Sequence, residues 1–223
     1  MQVYISRNLA QESVFRQRLE AAGHSVIGKS MIRFEAVPIT EIPSADWYFF
    51  YSRRGVRYFF ESGIPFRGKR AAIGPGTAAC IAAYGQPVDF TGNGHPQNTA
   101  QKFTTHVKVG ERVCFVRARR SRISVQSLLP DPIQRCELIV YNNIKSPTEI
   151  SPPEVLVFTS PLNFDAYLEV NRLSDEQLIF SIGKTTGTHI RERGYMLRGT
   201  APEPNEESMA RLILENANFG AGN

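Results

Sequence analysis

The residues of this chain that could do chemistry are hydroxyls, glycines and arginines that recur just after short apolar runs. They are Arg7, Ser52-Arg53-Arg54, Gly74-Pro75-Gly76-Thr77, Arg117 to Arg122, Thr159-Ser160 and Gly183-Lys184-Thr185-Thr186. A hydroxyl or a free backbone N–H at a helix start, beside a guanidinium, is a lining for carboxylates or phosphates. Each element also has a plainer use. A Ser or Thr before a helix caps it, the four arginines between Arg117 and Arg122 suit a solvated face, and Gly74 and Gly183 suit a tight turn. Repetition favours the chemical reading, because both halves of the chain place hydroxyls and an Arg at equivalent points, and caps alone require no Arg.

Other chemistries find little material. The four histidines, His24, His95, His106 and His189, show neither ligand nor triad spacing. No Gly-x-Ser-x-Gly elbow, Cys/His pair or carboxylate pair stands out. Tyr141 is a candidate of another kind, since a phenol can donate or relay a proton; a Tyr at a strand edge also serves packing. Gly74 to Ala79 formally matches Gly-x-Gly-x-x-Ala, but that fingerprint belongs to the first βα turn of a dinucleotide fold. Here the turn lies deep in the chain, and Gly183-Lys184-Thr185 lacks the glycines.

The elements that must position these residues form a tandem duplication with a period of about 108 residues. ADWYFFYSRRGVRYFFESG from Ala45 matches PEVLVFTSPLNFDAYLEVN from Pro153. In each, an apolar strand ends in Ser (Ser52, Ser160) and a helix follows. A second strand ends in Ile-Gly (Ile73-Gly74, Ile182-Gly183), and a helix opens near Thr77 or Thr186 and closes at Gly85 or Gly194. Val3 to Arg7 resembles Val113 to Arg117, each a strand delivering an Arg. Thr99 and Ser208 read as caps of a further helix in each half. This alternation predicts parallel sheets covered by helices on both faces, with ligands outside the carboxyl ends of the strands. The fold class is therefore α/β, as two similar doubly wound parallel-sheet domains with a cleft between them. Two extended segments, Ser30 to Val37 and Leu138 to Ile144, each follow the first helix of their half; they read either as ordinary strands or as the connections between domains.

Composition sets the outer limits. The chain has 223 residues, 42% hydrophobic and 21% charged, an ordinary globular profile large enough for a sizeable core. No apolar run approaches the roughly 18 residues of a membrane span. The N-terminus has no basic region followed by an apolar stretch, so no export signal is expected. Cys80, Cys114 and Cys136 lie far apart and read as reduced core thiols of a cytoplasmic protein. The net charge of +5 permits a polyanionic partner, and no long Lys/Arg block points to nucleic acid.

The order of motifs resembles that of the uroporphyrinogen-III synthase family from Gln2 to about Glu215. The matching elements are a first strand ending in Arg7, the turn Tyr51 to Arg54, Ile73 to Ala78, Val140-Tyr141, Phe158 to Pro161, Ile182 to Thr186, and Ala201 to Pro204 before a last helix. The resemblance implies two α/β domains, 1–35 plus 145–223 and 38–140, joined by a two-stranded β-ladder built from the two extended segments. It implies a cofactor-free, metal-free enzyme that acts as a monomer on hydroxymethylbilane, a linear tetrapyrrole with eight carboxylates. The substrate loses its terminal hydroxyl as water, passes through a spiro intermediate and closes with one ring inverted. Positions matching the family's functional ones are Ser52, Arg54, Thr77, Tyr141, Ser160, Thr185 and Thr186; Arg7, Gly74 and Arg117 join them from the strand-end argument. Departures are Tyr51 where Thr is usual, Arg53 where a small residue or Pro is common, and Leu178 where some members carry Lys. A two-lobed anion-binding module without catalysis is the alternative.

Overall fold

The computed structural model describes residues 1–121 and 123–217. Of the arginine-rich run, Arg122 lies outside the described residues. The first part of the chain forms β1 (Gln2–Ile5), α1 (Val14–Ala21), β2 (Ser25–Gly28) and β3 (Ile32–Ala36). The middle forms β4 (Trp47–Phe50), α2 (Arg53–Glu61), β5 (Lys69–Ala72), α3 (Pro75–Ala83), β6 (Phe90–Thr91), α4 (Pro96–Thr104), β7 (Arg112–Ala118), a 3₁₀ turn (Gln126–Leu128) and β8 (Gln134–Lys145). The last part forms β9 (Val155–Phe158), α5 (Pro161–Tyr167), β10 (Leu178–Ser181), α6 (Lys184–Glu192), β11 (Gly199–Thr200) and α7 (Glu206–Ala217).

The chain divides into two units, Met1–Arg33 with Ile144–Asn223, and Phe34–Asn143. The first holds a sheet in the order β11-β10-β9-β1-β2, whose pairings are all parallel. The second sheet runs β3-β8-β7-β4-β5-β6 and is parallel from β8 to β6. The same order of equivalent strands in both sheets is the duplication made visible. The division falls inside β3 and inside β8, which pair with each other. Val37 N–H donates to Val140 O and Ser146 N–H to Met31 O, the signature of an antiparallel pair. The segment Leu138 to Ile144 is thus the later part of a twelve-residue strand whose beginning completes the parallel sheet. No helix precedes it, because the β7–β8 connection carries only the 3₁₀ turn among the described residues.

Period-two alternation explains why continuous apolar runs make these strands. In β4, Trp47 and Phe49 enter one core with Phe103 and Phe115, while Tyr48 and Phe50 enter another with Val56, Phe59 and Ile81. In β9, Val155 and Val157 pack with Phe15, Leu19 and Met209; Leu156 and Phe158 pack with Phe164, Tyr167 and Ile190. Both faces of both sheets are covered, which is why neither face can be polar. Each such large side chain contributes about 1.5–3 kcal/mol by burial.

Capping explains where the helices begin and end. Ser52 and Ser160 have nearly the same backbone (φ −161°, ψ 155° and φ −160°, ψ 156°) and accept N–H from Gly55 and Asn163. Gly85 and Gly194 follow the last turns of α3 and α6 with φ of 70° and 84°, where a side chain would be strained. The caps expected at Thr99 and Ser208 lie elsewhere. Helix α4 begins earlier, at Pro96, and buried Thr99 bonds Ile73 O and Asn93. Helix α7 is capped by Asn205, whose Oδ1 accepts from Ser208 N–H at 2.8 Å.

Asn163 couples this capping to the start of the ladder. Its buried Oδ1 accepts Met31 N–H at 2.8 Å, and its Nδ2 donates to Ser160 Oγ at 3.0 Å. Asn163→Ala orphans a buried N–H and is expected to cost about 2 kcal/mol. The urea unfolding midpoint should fall with the slope unchanged; a loss under about 0.5 kcal/mol would contradict the assignment.

Candidate functional site

In the unit 34–143, the strand ends gather a compact polar and aromatic cluster around Tyr141. A register shift between Arg117 and Ala118 puts Arg117 opposite Ile139 but Ala118 opposite Tyr141. One extra residue is thereby inserted in β8, and both Val140 and Tyr141 join the same core. Bulges in parallel pairs are rare, and they re-aim side chains. Here the bulge turns the Tyr141 ring between Tyr58, stacked at 5.5 Å, and Phe34, edge-on at 6.1 Å. The ring is 7% exposed, and its hydroxyl lies 3.2 Å from Ser52 Oγ. Ser52 Oγ already accepts Gly55 N–H at 3.0 Å, so its own proton is free to point at Tyr141.

Arg54 stands beside this pair. Its guanidinium carbon lies 3.2 Å from the centroid of the Phe34 ring and 5.9 Å from that of Tyr141. A depression of about 360 Å³ is lined by Ser52, Arg53, Arg54 and Arg57. Phe34, Tyr58 and Arg57 were missed in the sequence. Arg57, four residues after Arg53 and so on the same helix face, was legible by spacing; the two aromatics were not, because the bulge decides their neighbours.

The adjacent strand end carries Gly74 and Thr77. Gly74 is the N-terminal cap of α3, and a Cβ there would meet the Gly94 backbone at 3.1 Å. Thr77 is buried at the third helical position. Arg117 is used differently from the expectation. It is 12% exposed, pairs with Glu137 at 2.5 Å and reaches Ala118 O at 3.0 Å and Ser121 O at 3.4 Å. Its guanidinium binds its own loop and is not presented to a ligand. Burial opposes ionisation of Glu137, yet hydrogen bonds from Arg117 and Gln126 hold its carboxyl below the usual range. Tyr51, the departure from Thr, serves the same loop: its hydroxyl accepts N–H from Val125 at 3.1 Å and Gln126 at 2.9 Å. Burial pushes that phenol's pKa up.

In the unit 1–33 with 144–223, Ser6 and Thr159 zip the ends of β1 and β9. Thr159 N–H donates to Ser6 Oγ at 2.8 Å, and Thr159 Oγ1 donates to Ser6 O at 2.8 Å. This sets Arg7 and Ser160 at neighbouring strand ends. Arg7 lies 3.6 Å from Glu206, whose other oxygen accepts from Ser13 Oγ at 2.7 Å. Gly183 caps α6, with Lys184, Thr185 and buried Thr186 in its first turn. Helices α1 to α6 carry no acidic residue in the first turn; α7 carries Glu206 and Glu207 there. Helix N-termini favour carboxylates, and those of α2, α3, α5 and α6 meet none from their own first turns. Among the described residues, no group of three or more His, Cys, Asp or Glu is arranged to hold a metal ion, and no helix is long and apolar enough to cross a membrane.

A family model described as uroporphyrinogen-III synthase HemD matches residues 13–211. Among solved structures, the chain is similar to a uroporphyrinogen-III synthetase from Helicobacter pylori, with 18% identity, 97% of this chain and 100% of that one covered, and a TM-score of 0.70. It is also similar to a mutant uroporphyrinogen III synthase from Thermus thermophilus, with 15% identity, 98% and 99% coverage, and a TM-score of 0.61. At these identities the two structures speak for the shared fold.

Two outcomes follow from the loop network. Tyr51→Phe removes the acceptor for two N–H groups, so amide exchange at Val125 and Gln126 should quicken while β4 stays protected; unchanged exchange would refute the role. Glu137, with its folded pKa depressed, adds stability that is present above the unfolded value of about 4.3 and lost as pH falls through the folded one. Glu137→Gln should flatten this acid limb in thermal melts between pH 3 and 7, and a limb unchanged in slope would contradict it.

Proposed function

The chain belongs to the uroporphyrinogen-III synthase family, and from that membership we propose how its own residues carry the reaction. The enzyme cyclises hydroxymethylbilane to uroporphyrinogen III, with loss of water and inversion of ring D through a spiro intermediate. The reactivity resides in the pyrroles: once the terminal hydroxyl leaves, the azafulvene cation is attacked by the far ring. The protein's tasks are to hold a conformation in which the substituted carbon attacks, to exclude water, and to assist the departing hydroxyl.

In this proposal Tyr141 is the proton donor to that hydroxyl. The observation that carries it is the 3.2 Å contact between Tyr141 Oη and Ser52 Oγ. With Gly55 N–H occupying one Ser52 lone pair, Ser52 donates to the phenol oxygen and leaves the phenolic proton for the substrate. The same contact stabilises the phenolate after transfer, as does Arg54, whose cation lies 5.9 Å from the ring. Rings Tyr58 and Phe34 hold the phenol in one orientation.

Substrate carboxylates are taken by Arg54, by Arg7, and by the hydroxyls and N–H groups at the starts of α2, α3, α5 and α6, namely around Ser52, Gly74 and Thr77, Ser160, and Thr185 and Thr186. Arg7 exchanges its contact with Glu206 for a substrate carboxylate, a small change at a half-exposed pair. Arg117 is assigned to loop support. The reading carries with it a monomer that uses no cofactor and binds no nucleic acid, and the three free cysteines fit a reducing, cytoplasmic setting.

Tyr141→Phe keeps the ring packing and removes the proton. Its rate of isomer III formation should fall about 10²-fold or more with little change in KM. Activity within twofold of the parent would remove Tyr141 from the proton role.

A further inference from the structure

The two halves repeat each other closely in backbone but not in charge, and the difference is concentrated on one helix turn. Position by position from the shared cap, Ser52 answers to Ser160, Arg53 to Pro161, Arg54 to Leu162 and Arg57 to Asp165. In α5, Asp165 is partnered within its unit, by a hydrogen bond with His189 Nε2 at 2.9 Å and an ion pair with Arg193 at 3.0 Å from α6. In α2, three guanidiniums occupy the first five residues of a helix whose N-terminus is itself positive. Arg53 and Arg57 are also neighbours at i, i+4, where like charges repel. None of the three is paired with a carboxylate among the described residues, and all three are exposed. The positions of α3 that would answer to His189 and Arg193 are Cys80 and Tyr84, so that helix adds no charge. The three arginines and Ser52 line the 360 Å³ depression. Three clustered guanidiniums without a carboxylate partner among the described residues, one of them stacked on Phe34, are what a binding site for several negative charges looks like.

From this asymmetry we infer that Arg53 and Arg57, with Arg54, form the carboxylate grip that sets charge specificity: they take the two carboxylates of one pyrrole ring together. This rests on the reading of the substrate as a tetrapyrrole with eight carboxylates, hence two per ring. Arg57 lies one helical turn beyond Arg53, a spacing of about 6 Å between side-chain origins that suits two acids on adjacent ring carbons. Arginines suit the task because each can take a carboxylate through two parallel N–H donors. The first turn of α5 repeats the cap but not the cations, so it cannot make the same grip. The inference also gives a role to Arg53, which stands where the family commonly has a small residue or Pro.

The test uses calorimetric titration of the whole chain with an octacarboxylic porphyrin and its tetracarboxylic analogue. The parent should bind the octacarboxylic form more tightly. Replacing both residues, Arg53→Gln with Arg57→Gln, should weaken that form about tenfold and the tetracarboxylic form less than twofold, and should lower the salt dependence of binding. KM for hydroxymethylbilane should rise in step while the product stays isomer III. Arg57→Lys should recover part of the loss. Arg191→Gln with Arg198→Gln, the same loss of two charges at exposed positions, controls for net charge. Equal weakening of both porphyrins, or a loss matched by Arg191→Gln with Arg198→Gln, would overturn the grip. A parent that yields isomer I would instead overturn the functional reading, and the porphyrin titrations would still decide the grip.

Discussion

A parallel sheet places the carboxyl ends of its strands next to the amino ends of the helices that follow, and each such helix begins with N–H groups that its own backbone cannot satisfy. In this chain those starts are Ser52 and Gly74 in one unit, Ser160 and Gly183 in the other. The sequence withholds acidic residues from all four first turns. The positive ends of these helices therefore meet no carboxylate from their own first turns. Cores, bulge and loop network are arranged around that constraint: the two apolar faces of each sheet fix the strands, and the strands fix the helix starts.

Two devices sharpen the general scheme into a particular site. The bulge in β8 adds one residue opposite Ala118 and so turns Tyr141 toward Ser52. The loop after β7 is tied by Tyr51 from one side and by Arg117 with Glu137 from the other. Both devices sit in the unit that also carries the clustered arginines of α2. In the proposed mechanism the proton donor and the charge recognition thus fall on the same repeat, while its counterpart keeps the cap geometry and partners Asp165 with His189 and Arg193.

Much of this was legible in the sequence. The tandem repeat, the Ser and Gly helix starts, and the strand pairs β1 with β7 and β4 with β9 as equivalents could be read because buried parallel strands leave unbroken apolar runs. The closing glycines Gly85 and Gly194 could be read because a positive φ demands them. Caps at Thr99 and Ser208 were misplaced, since α4 begins at Pro96, Asn205 caps α7, and local hydroxyls compete for the same reading. The partners of Tyr141 were hidden because they depend on a one-residue register shift. The commitment of Arg117 to its loop was hidden because Glu137, its partner, lies on a neighbouring strand twenty residues away.

The central claim is that the polar strand ends of this chain steer a reactive polyacid into one of two ring closures. The most direct measurement is chromatographic separation of products after hydroxymethylbilane is generated in the presence of the protein. The account predicts uroporphyrinogen III in place of the isomer I that forms unaided. A product that remains isomer I at every protein concentration would contradict it.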